Sequence, residues 1–271
     1  MNDIKSTLSH NKASNRVYLM HLHAEDFPHI ITHLDALADE HEYSKIFAKI
    51  PFTYTPAFIS EGYTIEATIP NFFKGKEDAA FVVKYKNKER RTPNKEALTA
   101  FQQLVFGSKS SKPPELASSY SIRTLKQADI DAMTTVFKAV FKSYPFPIFE
   151  AKFIEECMEN KTAIYFGAFY NNQLIAVSAA ECNSEELYAE MTDFAVLPSH
   201  RGNRLAIHLL HFMETHLEQQ HFKTFFSICR LNELSMNKTF LNCGYKFSGT
   251  LVNNTQIAGT IESMNVWYKL P

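Results

Sequence analysis

The sequence predicts an α/β protein built in two parts, and three observations carry that prediction. From Tyr120 onward, apolar strand-like runs alternate with amphipathic helical stretches. The run Gly107 to Ser119, GSKSSKPPELASS, concentrates Gly, Ser and Pro between two patterned regions, so residues 1–115 and 116–271 are expected to form separate units. The first unit also repeats the last six elements of the second. A chain of 271 residues suits two such units, each with its own core.

In the second unit, Tyr120 to Thr124 reads as a short strand. Gln127 to Phe141 reads as a helix with Ile130, Met133, Val136, Phe137 and Val140 on one face. A Pro-containing loop, Ser143 to Pro147, leads into a helix near Phe149 to Met158. Three apolar strands follow: Ala163 to Tyr170, Leu174 to Ala180 and Leu187 to Leu197. Asn171 and Asn172 make a tight turn that pairs the first two as an antiparallel hairpin. Next come a helix from Asn203 to Gln219, a strand Phe222 to Cys229, a helix Glu233 to Asn242, and strands near Lys246 to Val252 and Ser263 to Leu270.

In the first unit, Arg16 to Leu22 is strand-like, Asp26 to Leu37 helical, Ser44 to Ile50 a strand and Pro56 to Glu61 a short helix. Tyr63 to Ile69 and Ala79 to Tyr85 are strands. FISEGYTIEATI (Phe58 to Ile69) lies beside FLNCGYKFSGTL (Phe240 to Leu251), matching Gly62-Tyr63 with Gly244-Tyr245. The first unit is therefore read as a diverged half-copy of the second.

Composition narrows the function. Hydrophobic residues make up 45% and charged ones 21%, enough apolar surface for a packed core. The formal net charge is −1 and the cations are interleaved with acids; the most basic stretch, Lys84 to Arg91, reads as a strand end and solvated turn. No nucleic-acid partner is expected. Cys157, Cys182, Cys229 and Cys243 are too widely spaced for a disulfide framework, which suits a reducing cytoplasm. Met1 to Asn15 lacks the apolar core of a signal peptide, and no run approaches the roughly 20 apolar residues of a membrane span. The pairs His29 with His33 and His208 with His211 share helix faces but have no third ligand nearby, so no metal is expected.

The informative segment is FAVLPSHRGNRLAIHLL, Phe194 to Leu210, where an apolar strand ends at Pro198, a short loop follows and an amphipathic helix begins. Such a junction aims free backbone N–H groups and the positive end of the helix dipole at one spot, which suits a phosphate. Gly202 and Ala206 allow close approach, and Arg201 adds charge. Here the chain resembles the GNAT superfamily of N-acetyltransferases, whose acetyl-CoA loop reads Q/R-x-x-G-x-G/A after a strand of the type L-A-V-x-P. The matching residues are Phe194-Ala195-Val196-Leu197-Pro198 and Arg201-Gly202-Asn203-Arg204-Leu205-Ala206, with Arg204 in place of the middle glycine.

The resemblance implies a mixed, mostly antiparallel sheet flanked by helices, acetyl-CoA as co-substrate, and the main chain of Phe194, Ala195 and Val196 as its rail. An ammonium has no lone pair for attack on a thioester, so a general base is needed. Where the family uses a fourth-strand carboxylate, the matching position is Glu190. Asp193 is nearer the rail but, in a regular strand, points to the opposite face unless a bulge intervenes. Glu190, Asp193 and a water relay all remain open, and the plain alternative for either acid is a structural carboxylate. The tyrosine that protonates the departing thiolate in many relatives is replaced by Phe240.

A closer resemblance is to the β-lysine N-acetyltransferases. It is carried by Asn253 to Leu270, Met191 to Ala195, Ser235-Met236-Asn237, Tyr43 to Ile46 and Glu66 to Pro70. It implies acetylation of the N6 amine of β-lysine to give a compatible solute, with a lysine 2,3-aminomutase upstream. Another small amine, or a non-catalytic acyl-CoA-binding module, is the alternative, and a homodimer stays open. For a zwitterionic diamine, Glu262, Asp193, Arg230, Asn237 and Asn254 are candidate substrate partners, against the plain reading of turn and strand-end polar residues. The segment His23 to Ile30 holds the place of the phosphate loop in the first unit. It has two acids and neither Gly nor Arg, so no second acetyl-CoA site is expected there.

Overall fold

The computed structural model describes residues 4–107 and 115–271; part of the boundary run Gly107 to Ser119 lies outside the described residues. The first unit contains β1 (Thr7–Asn11), β2 (Arg16–His21), α1 (His29–Glu40), β3 (Lys45–Pro51), α2 (Thr55–Ser60), β4 (Thr64–Phe73), β5 (Glu77–Tyr85) and α3 (Lys95–Gly107). The second contains β6 (Tyr120–Thr124), α4 (Ile130–Val140), α5 (Ala151–Glu159), β7 (Ala163–Tyr170), β8 (Gln173–Asn183) and β9 (Tyr188–Val196). It continues with α6 (Leu205–Gln219), β10 (Thr224–Arg230), α7 (Leu234–Asn242), β11 (Lys246–Ile257) and β12 (Thr260–Lys269). Asn171 and Asn172 both take positive φ, 49° and 63°, which turns β7 back into β8 as their residue types dictate.

The strands form two sheets, ordered β1-β2-β3-β5-β4 and β11-β12-β10-β9-β8-β7-β6. Substituting β8, β9, β10, β11 and β12 for β1 to β5 converts the first order into five strands of the second. In each sheet one parallel pair, β2 with β3 and β9 with β10, is flanked by antiparallel ones. The likeness extends to hydrogen bonds. Tyr63 N–H donates to Phe58 C=O at 3.1 Å and Tyr245 N–H to Phe240 C=O at 3.0 Å, each around a glycine at positive φ, Gly62 at 87° and Gly244 at 82°. β4 and β11 each carry two bulges at the same distances from those glycines, after Ile65 and Phe247 and again after Ile69 and Leu251.

Helices α6 and α7 cover one face of the second sheet, burying Met191, Leu209, Met213, Phe225 and Trp267. Helix α3 joins them: Phe101 lies 6.0 Å from Trp267 and 4.9 Å from Phe247, ring to ring, although α3 precedes the expected boundary at residue 115. Helices α4 and α5 cover the opposite face near β7 and β8. The rest of that face receives the first sheet, with Tyr18, Phe47, Phe72 and Phe81 packing on Tyr188, Phe226, Met264 and Val266. Each such aromatic, fully buried, contributes roughly 1.5–3 kcal/mol. The back of the first sheet carries α1 and α2 over Val17, Leu19, Ile46 and Ala48.

The seam between the sheets is also tied by polar contacts. Buried Lys45 bonds to Glu66 at 3.2 Å and to Val252 C=O at 2.7 Å, and burial pushes its amine down to about 7 against the pull of Glu66. Gly249 is required at the crossing of β4 and β11, because a Cβ there would lie 2.0 Å from the Glu66 carbonyl oxygen. Strand β1 falls in the stretch Met1 to Asn15, read above only as lacking the apolar core of a signal peptide. It is a short, half-exposed edge strand, TLSHN, whose side chains carry little hydrophobic signal.

Candidate active site

Strands β9 and β10 pair only from Tyr188 with Thr224 to Glu190 with Phe226. Beyond that, β9 runs to Val196 and β10 to Arg230 without pairing, so one backbone edge of Met191 to Val196 has no strand partner. Within this stretch β9 bulges. Thr192 opposes Ala179 and Ala195 opposes Val177, leaving Asp193 and Phe194 to share Ser178, with Asp193 at φ 56°. The bulge switches faces: Met191 packs toward α6, whereas Ala195 packs with Val177 and Ala179 toward α4. A regular strand would set Asp193 opposite Glu190. The bulge lets both reach one cavity.

That cavity, about 330 Å³, lies where the first sheet, the α4–α5 loop and the splayed strands meet. The second sheet supplies Glu181, Glu190 and Asp193. The loop supplies Tyr144 and Phe146, and the first sheet Arg16, Tyr18 and Lys49. Tyr144 O–H donates to the Asp193 carboxylate, as does Thr192 Oγ1 at 3.2 Å. Burial pushes the Glu190 carboxyl up to about 7, with Lys49 opposing and Asp193 adding to the rise. Burial and the charges of Glu190 and Asp193 push Glu181 up to about 8. Burial raises Asp193 as well, against the bonds from Tyr144 and Thr192. Three acids in one buried cleft cannot all ionise at neutral pH, so the cluster holds exchangeable protons.

Lys49 is the buried cation facing these acids. Its amine lies 4.5 Å from the Tyr188 ring centre and 5.1 Å from that of Phe226. Burial disfavours its charge, but the oxygens of Tyr188 and Tyr18 and the Glu190 carboxylate more than offset that, so its pKa stands above the ordinary lysine value.

Just beyond the C-terminal end of β9, Arg201, Gly202, Asn203 and Arg204 form an exposed loop, and Leu205 and Ala206 open α6. In the first turn of α6, Ile207 N–H already donates to Arg204 C=O at 3.0 Å, which leaves the N–H groups of Leu205 and Ala206 without a helical acceptor, and open space surrounds Gly202, whose φ is 86°. Arg201 Nε donates to Val196 C=O at 3.4 Å, while Asn203 Nδ2 donates to His200 C=O at 3.0 Å. Arg204 is the helix N-cap at φ 55°, a left-handed conformation that explains why glycine suits this position and that costs about 1 kcal/mol for a side-chain-bearing residue. Donors at the loop and an unpaired strand edge beside it fit a ligand with phosphates at one end and amides along its length. Phe240 packs edge-on against Phe194 at 6.0 Å and offers no proton.

Of the candidate substrate partners, Asp193 and Asn254 line the cavity. Arg230 and Glu262 bond each other at 2.7 and 2.9 Å on neighbouring strands. Asn237 is buried, donating to Arg230 and Glu233 carbonyls and accepting from Asn265 and Trp267, so it fastens α7 to the sheet. Among the described residues no cluster of three His, Cys, Asp or Glu suits a metal, and no helix is long and apolar enough to cross a membrane. Residues that sequence reasoning missed include Arg16, Lys49, Tyr144 and Glu181. Lys49 carried a signal, a lone cation inside the apolar run Ile46 to Ile50.

Residues 130–245 match the acetyltransferase (GNAT) family model. A β-lysine N6-acetyltransferase of Methanococcus maripaludis is 33% identical over 261 residues, covering 95% of this chain and 93% of that protein. A β-lysine N6-acetyltransferase of Methanosarcina mazei is 26% identical, covering 90% of this chain and 97% of that protein. Among solved structures, a ribosomal-protein-alanine N-acetyltransferase from Brucella melitensis has the same fold over 56% of this chain and 99% of its own, with a TM-score of 0.50 and 15% identity. Relatedness along nearly the whole sequence, first unit included, makes the chain a member of the GNAT acetyltransferase family, in the branch that contains the β-lysine N6-acetyltransferases.

Proposed function

We propose that the protein transfers the acetyl group of acetyl-CoA to the N6 amine of β-lysine. The observation that carries this reading is the acid cluster of Glu181, Glu190 and Asp193 in the cleft beside the splayed end of β9. Acetyl-CoA supplies an activated acetyl thioester. The loop from Arg201 to Ala206 receives its phosphates, and the free edge of Phe194 to Val196 its amide-bearing arm.

The acid cluster draws in the substrate as an ammonium. Glu190, with a pKa of about 7, is the base that takes a proton from that ammonium. Asp193, oriented by the Tyr144 O–H, holds the amine against the carbonyl carbon. Nitrogen then forms a bond to that carbon as the carbon–sulfur bond breaks, CoA leaves as thiolate, and the surplus proton on the new amide nitrogen passes to that thiolate, giving the N-acetyl product and the free CoA thiol. The same proposal assigns 116–271 to catalysis, gives residues 1–115 a covering role over the substrate, and places a lysine 2,3-aminomutase upstream in the cytoplasm.

The test is a panel of amines with acetyl-CoA, following free thiol and locating the acetyl group by mass spectrometry. Turnover of β-lysine with the label on N6 is expected. No turnover of β-lysine beside strong turnover of spermidine overturns the reading.

A further inference from the structure

Arg16 opens β2 and points into the cavity, with only 7% of its surface exposed. Its Nη1 donates to Asn254 C=O at 2.8 Å and to Thr255 Oγ1 at 2.7 Å. No carboxylate pairs with it among the described residues. Its charge is therefore held by two neutral oxygens and by the rings of Tyr18 and Phe47, 5.2 and 5.7 Å away. A buried guanidinium without a counter-ion is costly unless an anion joins it. Beside it, the side-chain oxygen of Asn254 is buried and has no hydrogen-bond donor. One neighbourhood thus presents an unneutralised cation and an unsatisfied acceptor, both lining the cavity that holds the acids.

The repeat shows that this arrangement is not dictated by the fold. Asn254 lies in the second bulge of β11, just after Asn253 at φ 45°; Phe72 lies at the matching place in β4, just after Asn71 at φ 52°. Tyr188 opens β9 as Arg16 opens β2. At one end of the seam Tyr188 packs on Phe72, ring centres 4.4 Å apart; at the other, Arg16 meets Asn254. An apolar contact fills this place in one copy, whereas a charged, half-satisfied one fills it in the other.

We propose that Arg16 and Asn254 form a head-group site for a β-amino acid: Arg16 pairs with the substrate carboxylate and the Asn254 side-chain oxygen accepts from its 3-ammonium. The distal amine is then left to face Glu190 and Asp193. The first unit thereby selects the substrate, a role that rests on the proposed acetylation of β-lysine.

Three amines separate the contacts: β-lysine, 1,4-diaminopentane, which lacks its carboxylate, and 6-aminohexanoate, which lacks its 3-amine. For Arg16→Gln, the ratio of kcat/KM for β-lysine to that for 1,4-diaminopentane is expected to fall by at least about tenfold, the scale of a hydrogen-bonded charge. Arg16→Lys is expected to recover part of that ratio. For Asn254→Ala, the preference for β-lysine over 6-aminohexanoate is expected to fall. An equal loss on all three amines in both variants overturns the head-group site while leaving the acetylation of β-lysine standing. Wild-type protein that turns over spermidine and not β-lysine overturns the underlying reading instead. Thermal melts and acetyl-CoA binding accompany each variant. If Arg16→Gln does not melt cooperatively, Asn254→Ala decides, and an unaltered preference there overturns the site.

Discussion

Two loops hold the same place in the two copies, one opening α1 and the other α6, and they have opposite electrostatics. The loop before α6 is exposed, carries Arg201 and Arg204 around Gly202, and leaves helix N–H groups open. The loop before α1 is closed by its own side chains. Asp26 is buried and accepts from Ser6 N–H and Oγ, both at 2.6 Å, while Glu25 pairs with Lys5. Yet the helix ends, the Gly-Tyr turns and both bulges of the final hairpin agree between the copies. Contacts that maintain the fold recur in both copies, while the open, cationic loop occurs in one. In its place the first copy offers Arg16 and Lys49 to its partner's cavity.

The largest expected effect breaks the working copy alone. Glu190→Gln removes the proposed base and should lower kcat about 10²- to 10⁴-fold with little change in acetyl-CoA affinity. Because the unprotonated carboxylate is the active form, wild-type kcat/KM should rise with pH and level off above about 7, the value of the buried carboxyl. The variant should lose that inflection. Unchanged rates across this range would assign the proton to another group.

A smaller effect comes from making one loop resemble the other. Asn203→Glu places an acid where the first copy has Glu25 and Asp26, and should weaken acetyl-CoA binding about tenfold or more through repulsion at a helix N-terminus. Unaltered affinity would mean that phosphates do not approach this loop. The smallest effect tests what the copies share. Gly62→Ala and Gly244→Ala, both at positive φ, should each lower Tm by about 2–4 °C, on the order of 1 kcal/mol. A large effect at one and none at the other would argue against equivalent turns.

Much of this architecture is legible in the sequence, because it rests on local periodicity. The helices with a clear apolar face and the strands bounded by Asn171-Asn172 or Gly244-Tyr245 lie within a few residues of the expected positions. Edge strand β1 was not legible, being polar and half exposed. Helix α3 shows the other limit: Phe101 reaches across to Trp267, a contact made by tertiary docking with no local mark.

The site divides in the same way. The loop from Arg201 to Ala206 is a contiguous motif and can be read directly. The meeting of Glu190 with Asp193 depends on a bulge that no glycine announces, and Arg230 with Glu262 looks like a substrate pair until their mutual bond appears. Arg16 and Asn254 are 238 residues apart in sequence. Only the docking of one copy on the other brings them together.

The claim that the fold occurs twice and the acetyl-CoA site once is tested most directly by titrating the full-length protein with acetyl-CoA in a calorimeter. One molecule bound per chain, with the heat diminished by Asn203→Glu, is the predicted result. Two molecules per chain would contradict it, since the loop before α1 would then also hold phosphate despite Glu25 and Asp26.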